Sequence, residues 1–368
     1  MSQNSSYEDF KEPTLHGRYV NHTMIRPLLA MMEKTYLVET LGHSVLNMPI
    51  QCITLGKGPI KILMWSQMHG NESTTTKAVF DLLNFLKENN DENTSGQETC
   101  TIKIIPMLNP DGAEAYTRVN ANAIDLNRDA QDLSQPESSI LRKVYNDFKP
   151  DYCFNLHDQR TIFSAGNSPN PATVSFLAPA ADRQRTITQS RLVSMKIIAG
   201  VYQYLNTMIP NQIGRYDDAF NINCVGDTLQ LLETPTILFE AGHFQNDYER
   251  EQTRYYIFKA LWKAIQLIIT GSFESYSREQ YTSIPENHKC FLDVIVRNVH
   301  LVNAAYGQKE SLGVLFMEVL NGNAIRLEPK IETSGRLDDY YAHRTYDCAD
   351  PNDLKLLRKQ SKIIELLN

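Results

Sequence analysis

Lys61-Ile-Leu-Met-Trp-Ser-Gln-Met-His-Gly-Asn-Glu-Ser73 changes its period partway along. The first six residues form an apolar run of the kind found in strands buried on both faces. Beyond Ser73 the apolar residues Val79, Leu82, Leu83 and Leu86 recur at i, i+3, i+4 and i+7, one face of a helix, with Ser73 or Thr74 available to cap it. The polar quartet His69-Gly70-Asn71-Glu72 therefore falls where a strand turns into a helix. In α/β sheets that position faces the crevice in which ligands bind.

The same alternation runs outward from this stretch. Thr101–Pro106, Tyr152–Leu156, Thr173–Ala178 and Pro235–Phe239 are further short apolar strands, and Asn109-Pro-Asp-Gly112 reads as a turn after the first of them. Helical periodicity returns at Leu192, Met195, Ala199 and Tyr202, and again at Tyr255, Phe258, Trp262, Ile265 and Ile269. The polar stretch Glu88–Glu98 reads as a surface loop. After Gly271 a polar connector, Ser272–Asn287, leads to a region of different character. There Cys290–Val296 and Gly313–Leu320 read as paired strands, Ala324–Glu328 follows, and Asp350-Pro351 opens a helix that runs through Leu367. The pattern divides the chain into a main domain over 1–271 and a small α+β C-terminal domain over 288–368, in which no chemical motif is visible.

Length and composition narrow the function. The 368 residues carry 36 Lys and Arg against 43 Asp and Glu, a formal net charge of −7. A protein that neutralises phosphates is usually basic, so nucleic-acid partners are disfavoured. No apolar run is long enough to span a bilayer, and the first twenty residues have neither a basic nor an apolar signal region. The expectation is a cytoplasmic protein without membrane partners. The six cysteines are scattered and form no C-x-x-C pair, so they read as buried thiols rather than as a disulfide framework or a cysteine zinc site.

His69 and Glu72, three apart across a turn, can converge on one ion. Zinc takes imidazole nitrogen and carboxylate oxygen, and catalytic sites commonly use three protein ligands. Among the nine histidines the candidate third ligand is His157, directly after the strand Tyr152–Leu156 and 85 positions beyond Glu72. Read alone, His157-Asp158 is first a structural pair at a strand end. Downstream, Arg118 and Asp125-Leu-Asn127-Arg128 gather guanidinium and amide donors suited to a carboxylate. Glu240 ends an apolar strand and precedes Ala241-Gly242.

Taken in order, H-G-N-E, N-P-D-G, R-x-N-x-N-x-x-D-L-N-R, a strand-end His and a strand-end Glu before Ala-Gly resemble the zinc metallocarboxypeptidases, of which carboxypeptidase A is the best known. The resemblance covers about residues 40 to 270 and includes Gly42-His-Ser and Ile53–Gly56. It implies an α/β fold with a mixed parallel and antiparallel central sheet flanked by helices. It also implies one Zn2+ ion held by His69, Glu72 and His157, with Asp125 orienting the first imidazole. In the same terms, Glu240 matches the general base, Arg118 the oxyanion stabiliser, and Asn127 and Arg128 the pair that binds the substrate's terminal carboxylate. The implied reaction removes C-terminal amino acids from a peptide or amino-acid conjugate with a free carboxylate.

This sequence also departs from the pattern. The family's tyrosine upstream of the base is matched by Tyr216, 24 residues before Glu240. Asp158 replaces the small hydroxyl residue frequent after the third ligand. Arg160 reads as the ion-pair partner of Asp158, with a second carboxylate-binding role as the alternative. Asp227 is a candidate for a basic or amine-bearing substrate side chain or a turn residue, His243 reads as a loop histidine, and Tyr255 and Tyr256 read as core. Three other functions share parts of the pattern: a murein-peptide amidase, an N-acyl-amino-acid deacylase similar to the succinylglutamate desuccinylase and aspartoacylase group, and a noncatalytic peptide-binding module.

Overall fold

The computed structural model describes residues 6–88 and 98–367. The stretch 88–98 read as a surface loop lies almost wholly outside the described residues. The main body is built on eight strands: β1 (Leu37–His43), β2 (Pro49–Leu55), β3 (Ile60–Trp65), β4 (Cys100–Ile105), β5 (Tyr152–Asp158), β7 (Val174–Leu177), β8 (Ile213–Arg215) and β9 (Thr236–Ala241). Between β5 and β7 lies the short β6 (Phe163–Ala165), which belongs to a different sheet. The order across the main sheet is β1-β2-β4-β3-β5-β9-β7-β8. Neighbours β4, β3, β5 and β9 are parallel, whereas β1, β2 and β4 pair antiparallel in turn and β7 runs against β9. The sheet is thus mixed, as the resemblance implied.

Side chains of β3 show why the apolar run is continuous. Ile62 and Met64 face one buried cluster and Leu63 and Trp65 the other, so both faces of the strand are covered. The first cluster packs the helices Thr74–Glu88, Gln189–Leu205 and Glu251–Thr270 on one face, and the second packs Pro136–Phe148 and Val225–Leu231 on the other. The helix Glu251–Thr270 stops at Gly271, whose φ of 67° suits a residue without a Cβ.

Four central strands running in one direction place their C-terminal ends on a single edge. His69 follows β3, Asn109 follows β4, and His157 and Glu240 are the next-to-last residues of β5 and β9. The register pairs His157 directly with Glu240.

Several local expectations change in three dimensions. Asn109–Gly112 is not only a turn: Asn109 caps a helix over Pro110–Ala115, its Oδ1 accepting the Gly112 N–H at 2.8 Å. Glu240 lies within β9 rather than beyond it. The C-terminal helix breaks into Pro351–Leu357 and Ser361–Leu367. The polar connector after Gly271 holds the short helix Arg278–Thr282, because Ser277 and Gln280 form a capping box that local propensity alone does not require. The strands β1 and β2 and the helix His22–Met32 carry weaker patterns and emerge only from the packing.

A second sheet follows, with order β13 (Ala324–Gly335), β12 (Ser311–Asn321), β11 (Phe291–Arg297), β14 (Tyr341–Asp347). The short β10 (Asn287–Lys289) pairs with β6 and stitches the segment before this sheet to the main body. One face packs Val294, Val296, Leu312 and Val314 against Leu357, Ile363 and Leu367 of the two terminal helices. The other packs Leu292, Ile295, Leu315 and Leu337 against Ile162 of the main body.

Candidate active site

Of the ten site residues expected from the sequence, nine border one cavity of about 750 Å3: His69, Glu72, Arg118, Asn127, Arg128, His157, Tyr216, Asp227 and Glu240. Asp125 stands behind His69. Their convergence begins with Gly70. A Cβ built there would lie 1.9 Å from the backbone carbonyl carbon of Gly112, so only glycine lets the turn after β3 pack on the helix capped by Asn109. Gln67, at φ 48°, bends the chain out of β3, and its Nε2 donates to Val20 O at 2.7 Å and to Gly70 O at 2.8 Å. We expect Gly70→Ala to cost about 1–3 kcal/mol of stability. It should also lower metal affinity at least tenfold, an effect on the scale of losing a ligand's supporting contact; denaturant unfolding and competition titration would check both.

His69, Glu72 and His157 are buried, and one ligand-type atom from each lies within 4.8 Å of the others. Both imidazoles present Nδ1: that of His69 is 2.8 Å from Glu72 Oε1, that of His157 is 2.8 Å from Glu72 Oε2, and the two nitrogens are 3.0 Å apart. On its far side His69 Nε2 lies 3.0 Å from Asp125 Oδ1. A proton on Nε2, donated to Asp125, leaves the Nδ1 lone pair facing the site. Two nitrogen lone-pair positions and a carboxylate aimed at one point fit a divalent cation, and the donor set of two imidazoles and one carboxylate suits zinc.

The electrostatics are those of a cation site. Burial would lower the His69 imidazole, but Glu72 and Asp125 outweigh it and raise its pKa. Burial would raise the Glu72 carboxyl, yet the two imidazoles hold it well below the ordinary carboxylate range. For His157 burial prevails and lowers the pKa despite Glu72. Glu240 is raised well above its usual value by burial, then by the charges of Glu72 and Asp158. Its Oε2 is enclosed and, among the described residues, has no partner. An acceptor left open beside a metal-type cluster is available to a proton.

The remaining candidates have partners that limit what they can do. Arg118 is half-exposed and donates to Glu72 Oε1 and Asp125 Oδ2, each at 3.1 Å. Asn127 accepts the Val225 N–H at 3.0 Å, which sets it against the helix Val225–Leu231, and the exposed Arg128 donates to the Asn127 carbonyl at 2.7 Å. Tyr216 packs its ring 5.3 Å from that of Phe163 and is raised well above the usual phenol value by burial and then by Glu240. Asp227 borders the cavity, but its Oδ2 accepts the Asn221 N–H at 2.8 Å, the turn role read as its alternative. Burial pushes its carboxyl up to about 6.

Arg160 does not pair with Asp158. The Asp158 side chain turns inward at the end of β5 and accepts the Thr74 N–H at 3.0 Å, whereas Arg160, two residues on, is exposed along the cavity. His243 is buried, its ring 4.1 Å from that of His343 in β14, so it belongs to the junction with the second sheet.

Residues without a motif also build the site. Arg250 is fully enclosed; its guanidinium donates to Ala241 O at 2.6 Å, to Gly242 O, and to Gln159 O at 2.8 Å. It clamps the ends of β5 and β9, the strands that carry His157 and Glu240. In sequence it sits in Asn246-Asp-Tyr-Glu-Arg-Glu251, an ordinary polar helix start. Phe316, Met317 and Glu318 of β12 border the cavity too, so the second sheet, silent in sequence, supplies one of its walls.

The zinc carboxypeptidase family model matches residues 23–174. Carboxypeptidase SOL1 of Arabidopsis thaliana is 28% identical over 172 residues, which cover 38% of this chain and 35% of that protein. The chain thus matches about a third of the length of this curated relative. Among solved structures, a metallo-carboxypeptidase from Burkholderia cenocepacia superposes with a TM-score of 0.56 at 18% identity, covering 69% of this chain and 70% of its own. Carboxypeptidase A from Helicoverpa armigera gives 0.55 at 14% identity over 74% and 78% of the two chains. These superpositions show a shared fold. Over residues 23–174 this chain thus resembles the zinc carboxypeptidase family in sequence, and over its main body it shares the fold of these metallo-carboxypeptidases.

Proposed function

We propose that this protein is a zinc-dependent exopeptidase that removes C-terminal amino acids from peptides, with His69, Glu72 and His157 holding one ion. The observation that carries this reading is the convergence of those three residues at the sheet edge, with Glu240, whose enclosed Oε2 has no partner among the described residues, bordering the same cavity. A bound zinc ion supplies Lewis acidity, polarising a carbonyl and lowering the pKa of water to about 7.

In this reading Glu240 is the general base. Its oxygen accepts a proton from the attacking water and hands it to the leaving amine, a shuttle favoured by a carboxyl whose pKa burial raises well above the ordinary carboxylate value. Arg118, beside Glu72, stabilises negative charge that grows on the carbonyl oxygen. Asn127 and Arg128 hold the terminal carboxylate, which orients the last peptide bond and confines cleavage to chain ends. Tyr216 borders the same cavity. We further propose residues 1–271 as the catalytic domain and 288–368 as a smaller domain. The six free thiols support a reducing, cytoplasmic setting.

Two experiments test this. Mass-spectrometric analysis of products from free-acid and C-terminally amidated peptides should show loss of single residues from the free acids alone; cleavage of both would refute the carboxylate clamp. Chelation should abolish turnover and one equivalent of zinc should restore it. At about 100 times its dissociation constant, zinc should stabilise the fold by about 2.7 kcal/mol in thermal unfolding. Full activity in the metal-free protein would overturn the reading.

A further inference from the structure

The wall contributed by the second sheet is rich in carboxylates, yet each already has donors. Glu318 accepts from Arg18 at 2.9 and 3.2 Å and from the Tyr116 hydroxyl at 2.5 Å. Asp293 accepts from the Tyr248 hydroxyl at 2.9 Å and from Phe316 N–H at 2.8 Å. The donors on this wall are not used up. Arg18 is buried, and its enclosed Nε has no partner among the described residues. Arg160 is exposed into the same cavity and, among the described residues, makes no hydrogen bond or ion pair. It is near enough to Glu318 to help hold that carboxyl below its usual value, after Arg18, Tyr116 and Arg250. A molecule that complements this wall must therefore bring acceptors, and the planar fork of a guanidinium matches a carboxylate.

The position of the wall says which part of a substrate meets it. Asn127 and Arg128 lie against the helix Val225–Leu231, so a terminal carboxylate held there leaves the portion N-terminal to the cleaved bond to the wall of Arg160 and β12. A cavity of about 750 Å3 has the size of a small-molecule site rather than of a long peptide channel. We propose that Arg160 binds a second carboxylate, on the acyl side of the scissile bond, and that the preferred substrates are short peptides with an acidic residue immediately before the C-terminal one. This rests on the exopeptidase reading above. It assigns to Arg160 a specificity role in place of the ion pair with Asp158, and to the second sheet the task of limiting substrate length.

The test compares N-acetyl-glutamyl and N-acetyl-glutaminyl dipeptides that share one C-terminal residue, with the corresponding succinyl amino acid as a third substrate. The zinc-loaded enzyme should prefer the glutamyl over the glutaminyl dipeptide by at least about tenfold in kcat/KM, carried mainly by KM, as expected for a hydrogen-bonded charge pair. Arg160→Gln should bring that ratio close to one, and Arg160→Lys should restore part of it. Faster turnover of the succinyl compound than of the glutamyl dipeptide would place the second carboxylate on an acyl group rather than a residue, overturning the peptide assignment. A ratio near one in the unaltered enzyme, or an unchanged ratio in Arg160→Gln, would overturn the proposal. If no substrate is cleaved, the exopeptidase reading fails first. Calorimetric binding of N-acetylglutamate to the zinc-loaded protein then decides the subsite: a loss of at least about tenfold in affinity in Arg160→Gln upholds it, and equal affinity refutes it.

Discussion

On the proposed mechanism, Glu240→Gln will lower kcat at least about 100-fold while leaving bound zinc at one equivalent, because removing a general base costs about 100-fold to 10,000-fold. The amide keeps the size of the side chain and its place at the end of β9, paired in register with His157. It removes the proton-accepting oxygen, and nothing else in the cluster can take over that role. The Glu72 carboxylate is held well below its usual pKa by two imidazoles, which makes it a poor base. Asp158, whose pKa is raised by burial, is tied to the Thr74 N–H at 3.0 Å. The measurement is steady-state kinetics alongside metal analysis of the same preparation. Near wild-type turnover would remove Glu240 from the mechanism, and loss of zinc together with turnover would make it a structural support of the ion.

Asp81→Ala will destabilise the fold by about 3–5 kcal/mol, the cost of stripping one partner from a buried ion pair. Asp81 and Arg254 are both fully enclosed. Arg254 Nε donates to Asp81 Oδ2 at 2.7 Å and its terminal nitrogen to Oδ1 at 2.5 Å, a two-pronged contact between the helices Thr74–Glu88 and Glu251–Thr270. The same guanidinium holds the N-terminal segment through Leu15 O at 2.6 Å and Glu12 O at 2.8 Å, and Asp81 accepts from Tyr7 at 2.6 Å and Glu12 N–H at 2.7 Å. Alanine would leave a charged group facing apolar packing with only carbonyls and the more distant Glu251, at 3.2 Å, to answer it. Chemical denaturation of both proteins gives the difference directly. A change below about 1 kcal/mol would mean that the pair contributes no more than an exposed one.

Much of the site was legible because its chemistry is local. His69 and Glu72 are three residues apart at a change of period, and Asn127-Arg128 are adjacent. His157 and Glu240 each end a run of apolar residues, and parallel strands bring such ends to one edge, but it was the resemblance of the ordered motifs that singled them out. The places where the reading failed share a cause. Arg160 looked like a partner for Asp158 because the two are close in sequence, but β5 ends at Asp158, and past the strand end the period-2 geometry that would keep residues i and i+2 on one face no longer holds. Glu318 and Arg250 lie in stretches with no unusual composition, and their importance comes from residues far away in the chain: Arg18 and Tyr116 for the first, Gln159 and Ala241 for the second.

The sequence by itself pointed to the α/β class and the central buried strands and, through the ordered motifs, to the residues that the fold gathers into a candidate metal cluster beside Glu240. It could do so because burial on both faces of a strand and ligand spacing across a turn leave marks within a few residues. Only the tertiary structure decided that the second sheet closes one wall of the cavity, that Arg250 clamps β5 to β9, and that Arg160 faces open space. Those outcomes depend on which surfaces meet when separate elements pack, and a pairing between residues 18 and 318 or between 159 and 250 has no local pattern to announce it.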